Sequence, residues 1–189
     1  MTKPAILAHI CCAPDASYVV DLLLQDHRVT GFFFNPNIWP AGEYGLRLDE
    51  TRKVERILGF PLLEGGYDHE LWTAVTAKFA AEPEKGRRCD VCYALRLDRT
   101  ARFARELGIP AFTTIMSVSP WKKADVLNRI GRRIGRKYGL SFLEADFKKK
   151  DGFRRSLELS RRYGLYRQNY CGCRYSYRPP RPSPEALSR

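Results

Sequence analysis

The chain has 189 residues, 44% of them hydrophobic and 29% charged, an ordinary globular composition with length for one sizeable core but not two. Its formal net charge is +12, and its apolar runs all fall short of the ~18 residues of a membrane span, so no membrane partner is expected. The apolar stretch of MTKPAILAHICC is too short for a signal-peptide core and lacks a small-residue cleavage site, which makes a cytoplasmic protein the expectation.

In chain order, the first apolar run predicts a strand over Ala5–Ile10, followed by a helix over Asp15–Gln25 and a second strand over Val29–Phe34. A helix over Glu43–Leu58 ends at Gly59, before a strand at Pro61–Glu64. Asp68 is the expected N-cap of a helix over His69–Ala80, and Gly108 ends the next helix, Val91–Leu107. Strand Ala111–Thr114, helix Lys122–Tyr138, strand Ser141–Leu143 and helix Gly152–Tyr163 complete the series. Such alternation predicts an α/β fold with a parallel, doubly wound sheet flanked by helices. One domain is expected over residues 1–178, with a disordered Pro-rich tail at 179–189.

Ligands of such sheets bind beyond the carboxyl ends of the strands, where strand order reverses. Three polar clusters fall at those ends: Cys11-Cys12 after the first strand, Asn35-Pro36-Asn37 after the second and Asp146 after the last. Residues far apart in sequence are thereby expected to converge.

The charge is uneven. Residues 148–189 carry 12 Lys or Arg against three acids, so +9 of the +12 lies in the last 42 residues, and a second basic run covers 122–137. Either run alone reads as a solvated face. Together, with aromatics interleaved in YGLYRQNYCGCRYSYR, they favour an anionic polymer, and RNA with exposed bases fits the Arg/Tyr mixture better than a plain duplex.

The six cysteines come as three close pairs, Cys11-Cys12, Cys89-x-x-Cys92 and Cys171-x-Cys173, a pattern of metal or redox chemistry in a reducing compartment. Adjacent Cα atoms lie ~3.8 Å apart, too close for an unstrained disulfide, which wants ~4.4–6.8 Å. Cys11 and Cys12 are better suited to metal ligation, and a position at the start of a helix favours the thiolate. Asp15, three residues on, reads as a first-turn cap that also points its carboxylate towards the same site. Six thiolates and one carboxylate exceed the needs of one tetrahedral ion. Spacing alone leaves iron–sulfur and zinc equally open, a cluster plus a second metal using every donor.

Several segments together resemble the cobalamin-independent epoxyqueuosine reductases of the QueH family: HICCAPD, FFFNPNIWPAGEYGLR, CDVCYALRL, TTIMSVSPWKK, DFKKKDGFRRSLELSRRYGLYRQNYCGC and the YS at 175–176. The resemblance implies a Rossmann-like (HUP-type) sheet with a cysteine-bearing C-terminal extension. It implies reduction of epoxyqueuosine to queuosine at the wobble position of tRNA, with a [4Fe–4S] cluster, a mononuclear iron and an external electron donor. The family's motif commonly reads Cys-Cys-Ala-Pro-Cys, and Asp15 stands here at the last position, a harder oxygen donor that either completes the cluster as its fourth ligand, the favoured reading, or leaves that iron to carry water. The allocation expected from it puts Cys12, Asp15, Cys89 and Cys92 on the cluster, and Cys171 and Cys173 on the single iron, with Cys11 bridging or shared. His9, Tyr170 and Asp146 are the candidate proton sources. Asn35, Asn37, Tyr44, Arg47, Arg167, Gln168 and Asn169 are candidates for substrate binding. Lys148–Lys150 and Arg154–Arg155 are expected to grip RNA phosphates.

Three rivals compete. A zinc-holding RNA-binding protein without redox activity would be colourless. A thiol–disulfide oxidoreductase on Cys89-x-x-Cys92 would leave four cysteines idle. An ATP-dependent tRNA thiolase needs a Gly/Ser-rich phosphate loop where CCAPD stands.

Overall fold

A computed structural model describes residues 2–178; the Pro-rich tail expected at 179–189 lies outside the described residues. Five strands form one all-parallel sheet: β1 (Ala5–Ile10), β2 (Arg28–Phe33), β3 (Leu62–Glu64), β4 (Ala111–Thr114) and β5 (Ser141–Phe142), in spatial order β3-β2-β1-β4-β5. The predicted strands sit within one residue of these bounds. Strand order reverses between β1 and β4, so the crevice beyond their carboxyl ends is where such a sheet takes its ligand. Cys11 and Cys12 open that crevice on one side, and the turn at Ile115–Val118 on the other.

β1 is central and its side chains are buried on both faces, hence its unbroken apolar run. Ile6, Ala8 and Ile10 point into the larger half of the core, which contains side chains of α1 (Ala13–Asp26) and α2 (Ala41–Leu58). Leu7 points to the other half, with Phe32, Phe112 and the apolar stripe Leu97, Ala101 and Ala104 of α4 (Arg87–Glu106). The shorter α3 (His69–Thr76) starts at Asp68, whose carboxylate accepts from the Leu71 N–H at 3.0 Å. Gly59 ends α2 in the left-handed conformation, φ 70°, as its position predicts.

Two differences from the sequence reading move functional residues. α4 starts four residues earlier than expected, so Cys89 and Cys92 both lie on its first turns. α5 (Ala124–Tyr138) starts two residues later, leaving Trp121 and Lys122 on the loop that leads into it. The basic run at 122–137 is otherwise mostly the solvated side of α5, whose Leu127 and Ile134 face the core. The last helix, α6 (Gly152–Arg162), packs against α1 and delivers the chain to the segment 165–178 that crosses the mouth of the crevice.

Candidate active site and metal-binding pocket

A pocket of about 560 Å³ opens at the switch point. Its wall draws on Cys11, Cys12 and Asp15 from the β1–α1 junction, on Asn35 and Asn37 after β2, and on the segment Arg167–Cys171. Cys12 is the N-cap residue of α1 but its side chain bonds no backbone N–H; Pro14 occupies the first turn, where a missing N–H costs nothing. Asp15 is likewise no cap: its Oδ2 accepts from the Cys11 thiol at 3.4 Å, and the two sulfurs are 3.8 Å apart. Among the described residues, Cys11, Cys12 and Asp15 form the one group of donor atoms that all lie within 4.8 Å of one another. The close Cys12 sulfur, burial and Asp15 push the Cys11 thiol well above its usual range, and burial raises the Asp15 carboxyl. Three acidic groups so crowded shed their protons most readily to a cation.

The other four cysteines meet in a separate, much smaller space among mostly buried side chains. Cys89, Cys92, Cys171 and Cys173 line one small void together with Trp72, Arg88, Tyr93 and Asn37. The i, i+3 spacing puts Cys89 and Cys92 on one side of α4. Gly172, at φ 123°, turns Cys171 and Cys173 towards them, and a Cβ there would come within 3.2 Å of Arg47, Asn37 and Ile38. Burial raises Cys89 to about 11 and raises Cys92 as well. Cys171 behaves oppositely. Burial pushes its thiol up, but the Lys122 ammonium, donating to its Sγ at 2.7 Å, together with Arg96 and Arg47, more than offsets this and holds it below the usual thiol range. Cys171 and Asn37 line both the pocket and the void, so they form the partition between them.

The donors thus sort differently from the expected allocation: Cys12 and Asp15 stand with Cys11, whereas Cys171 and Cys173 stand with Cys89 and Cys92. Sequence spacing could not decide this, because it depends on how the last segment folds back over α4.

Three other candidates are displaced. His9 is fully buried in β1, with Nε2 3.1 Å from the Phe34 carbonyl oxygen and 3.2 Å from Arg96 Nε, and Nδ1 3.0 Å from Thr114 Oγ1. Burial and the Arg96 charge hold it well below its ordinary value, and it lies beneath the pocket without lining it. Asp146 does not line the pocket; its carboxylate pairs with Lys148 Nζ at 2.7 Å. Tyr44 donates to Glu64 Oε1 at 2.9 Å and packs edge-on against Phe33, so it is a core residue outside the pocket.

The remaining candidates line the pocket in different capacities. Asn35 spends its amide on the Ile10 carbonyl at 2.9 Å and on Arg96 Nη2 at 2.5 Å, tying β1, β2 and α4 together. Arg47 pairs with Glu43 at 2.7 Å and donates to the carbonyls of Cys171 at 3.2 Å and Tyr170 at 3.3 Å, which fixes the cysteine-bearing segment. Tyr170 donates its hydroxyl to the Trp39 carbonyl at 2.5 Å. Asn37 Oδ1 and Gln168 Oε1 are buried acceptors with no partner, an arrangement that suits a ligand bringing N–H or O–H donors. Arg167 and Asn169 are exposed on the same wall.

Sequence reasoning missed Lys122 and Arg96. Lys122 was hidden inside a basic run; its position just after the switch-point strand was the available signal. Arg96 lies four residues after Cys92, a helical spacing that puts its guanidinium on the cysteine side of α4.

The switch point of a parallel sheet here gathers two groups of thiols beside an open pocket, an arrangement able to hold metal, and the first loop carries Cys-Cys-Ala-Pro-Asp in place of a Gly/Ser-rich phosphate loop. Comparison with known proteins places the chain more narrowly. The family described as "Epoxyqueuosine reductase QueH" matches residues 6–179. Relatives of that name include one from Streptococcus pyogenes serotype M1, 38% identical over 182 residues (92% of this chain, 71% of the relative). The Haemophilus influenzae relative is 35% identical over 175 residues, 92% of this chain and 71% of its own length. For the Thermotoga maritima relative the figures are 34% over 187 residues, 97% of this chain and 96% of its own length. The chain belongs to the epoxyqueuosine reductase QueH family.

Proposed function

We propose that the chain reduces epoxyqueuosine to queuosine in tRNA, with a [4Fe–4S] cluster held by Cys89, Cys92, Cys171 and Cys173 and a single iron held by Cys11, Cys12 and Asp15. Family membership makes it an oxidoreductase of epoxyqueuosine. The observation that carries the metal assignment is the partition of seven donors from three remote segments into one compact group and one separate all-sulfur group. The compact Cys/Cys/Asp group suits one ion with room for a further ligand on the pocket side. The four-cysteine group is not drawn together tightly enough to count as a single-ion site, and an all-thiolate set is what an iron–sulfur cluster takes.

Converting an epoxide to an alkene releases its oxygen as water and consumes two electrons and two protons. No side chain supplies those electrons catalytically, so an external donor and a redox-active cofactor are required, a part that the gathered thiols suit metal to play. When bound, the metals supply Lewis acidity towards an oxygen in the pocket and single-electron transfer. The protein's own part is positional. Arg47 and Gly172 set the turn that presents Cys171, whose sulfur borders both compartments, while Arg96 braces β1 against α4. Lys122 Nζ, which donates to the Cys171 sulfur at 2.7 Å and lines the pocket, is the candidate proton source in place of His9 and Asp146, which do not line it. The unpaired amide oxygens of Asn37 and Gln168 receive donors of the modified nucleoside, beside Arg167 and Asn169. The exposed cations of α6 and the residues before it contact the anticodon arm, giving a log–log salt slope of roughly −0.7 per phosphate on single-stranded RNA.

The deciding experiment is anaerobic purification with iron and sulfide counts and an absorption spectrum, followed by incubation with epoxyqueuosine-tRNA and a low-potential reductant. Brown protein that forms queuosine supports the proposal. Colourless protein that holds zinc, binds RNA and reduces nothing would instead support the zinc reading.

A further inference from the structure

The loop between β4 and α5 carries two neighbours that face opposite ways. Lys122 reaches inward to the Cys171 sulfur. Trp121, the residue before it, is 65% exposed, more than any other large hydrophobic side chain among the described residues, yet it lines the same pocket. The other exposed aromatics of the mouth partner each other: Trp39 meets Tyr177 edge-on with centroids 5.2 Å apart, and Tyr177 meets Tyr170 at 5.4 Å. The indole of Trp121 instead has a cation over it, Lys85 Nζ at 5.2 Å from the ring centroid. Lys85, Arg167 and Arg178 line this pocket too, outnumbering Glu84 beside them.

We propose that Trp121 is the stacking platform for a nucleobase that flanks the modified one in the anticodon loop. This rests on the reading of the chain as a reductase acting on tRNA. An exposed indole among cations is what single-stranded nucleic acid selects: the ring takes the face of a base, whatever its identity, and the cations take the phosphates on either side. Trp121, Lys122 and Cys171 line one pocket, so a base resting on the indole lies at the mouth through which the reacting nucleoside enters towards Lys122 and Cys171. Stacking on a flanking base also offsets the cost of taking the reacting nucleoside out of its own stack.

The test compares wild type with Trp121→Ala, Trp121→Leu and Trp121→Phe as anaerobically loaded proteins. Two readouts are needed: anisotropy with a fluorescent anticodon stem-loop carrying plain guanosine at the wobble position, and steady-state reduction of epoxyqueuosine-tRNA. Alanine and leucine should both weaken stem-loop binding about tenfold and raise KM to match, while phenylalanine, which keeps an aromatic face, should cost no more than about threefold. Iron and sulfide contents should match wild type in all three. Wild-type binding by Trp121→Leu would show that apolar surface suffices, and wild-type binding by Trp121→Ala would show that the indole meets no RNA; either overturns the proposal. Failure of wild type itself to reduce epoxyqueuosine-tRNA would instead sink the reading of function on which this one stands.

Discussion

The two groups of donor residues are built from the same chemistry and differ in almost everything else. Cys11, Cys12 and Asp15 come from five consecutive residues at the start of one helix, and their wall opens onto a pocket large enough for a nucleoside. Cys89, Cys92, Cys171 and Cys173 come from a helix and a distant turn, and line a small void that would have to widen to admit a cluster. In the first, the neighbouring Cys12 sulfur and burial raise the Cys11 thiol, and burial raises the Asp15 carboxyl. In the second, the Lys122 ammonium lowers the Cys171 thiol while burial raises Cys89 and Cys92. Openness and a mixed oxygen–sulfur donor set suit a site where substrate is bound. Burial and uniform sulfur suit storage and delivery of electrons. Cys171 borders both spaces.

The harshest way to break this comparison is to remove a sulfur from the four-cysteine group. Cys92→Ser and Cys173→Ser should each lose sulfide and visible absorbance together, with queuosine formation falling to background; retention of wild-type sulfide content by either would mean that the four-cysteine group holds no cluster. Asp15→Asn should separate the two sites. Losing even an indirect metal partner costs 10–100-fold, so losing a direct donor should reduce turnover at least ~100-fold, while sulfide content and spectrum stay and iron falls by about one atom per chain.

A milder test concerns Lys122. Thiolate is the species that alkylates, and the Lys122 ammonium lowers the Cys171 value, so in metal-free protein Cys171 should react with iodoacetamide at lower pH than Cys11, Cys89 and Cys92. Lys122→Met removes the stabilising charge and should move that profile to higher pH, read by mass spectrometry of the peptide containing Cys171. An unmoved profile would remove Lys122 from its assigned role. Smallest is Gly172→Ala. Its φ of 123° and three contacts within 3.2 Å of the added Cβ predict a loss of about 1–3 kcal/mol, seen as a Tm lowered by several degrees. Because the strain falls on the turn presenting Cys171 and Cys173, cluster retention under air should shorten as well.

Much of this molecule was legible in its sequence because the signals are local. Period-two and period-3.6 patterns, Asp68 as a cap and Gly59 as a left-handed stop act within a few residues, so the five strands and six helices were found with small errors at their ends. Clustering of Cys11, Cys12 and Asp15 was legible for the same reason, since one helical turn brings them together. Roles that depend on which face of an element meets which neighbour were not. His9, in a strand beside the cysteines, looked like an acid, but β1 turns it down onto Arg96. Tyr44, within a matching motif, packs against the sheet instead of the pocket.

The amino-acid order by itself determined the alternating parallel fold, the supply of seven candidate metal donors and, through its motifs, the family. Only the tertiary structure decided how those donors divide, because the pairing of Cys89 and Cys92 with Cys171 and Cys173 spans about eighty residues and is closed by Arg47 and the turn at Gly172. It also decided that one lysine of a basic run is a buried partner of sulfur while the tryptophan before it faces solvent. The physical reason is one of range: hydrogen-bond and side-chain periodicity is written into neighbouring residues, whereas the local field and solvent access that set a thiol's charge come from whatever the rest of the chain packs against it.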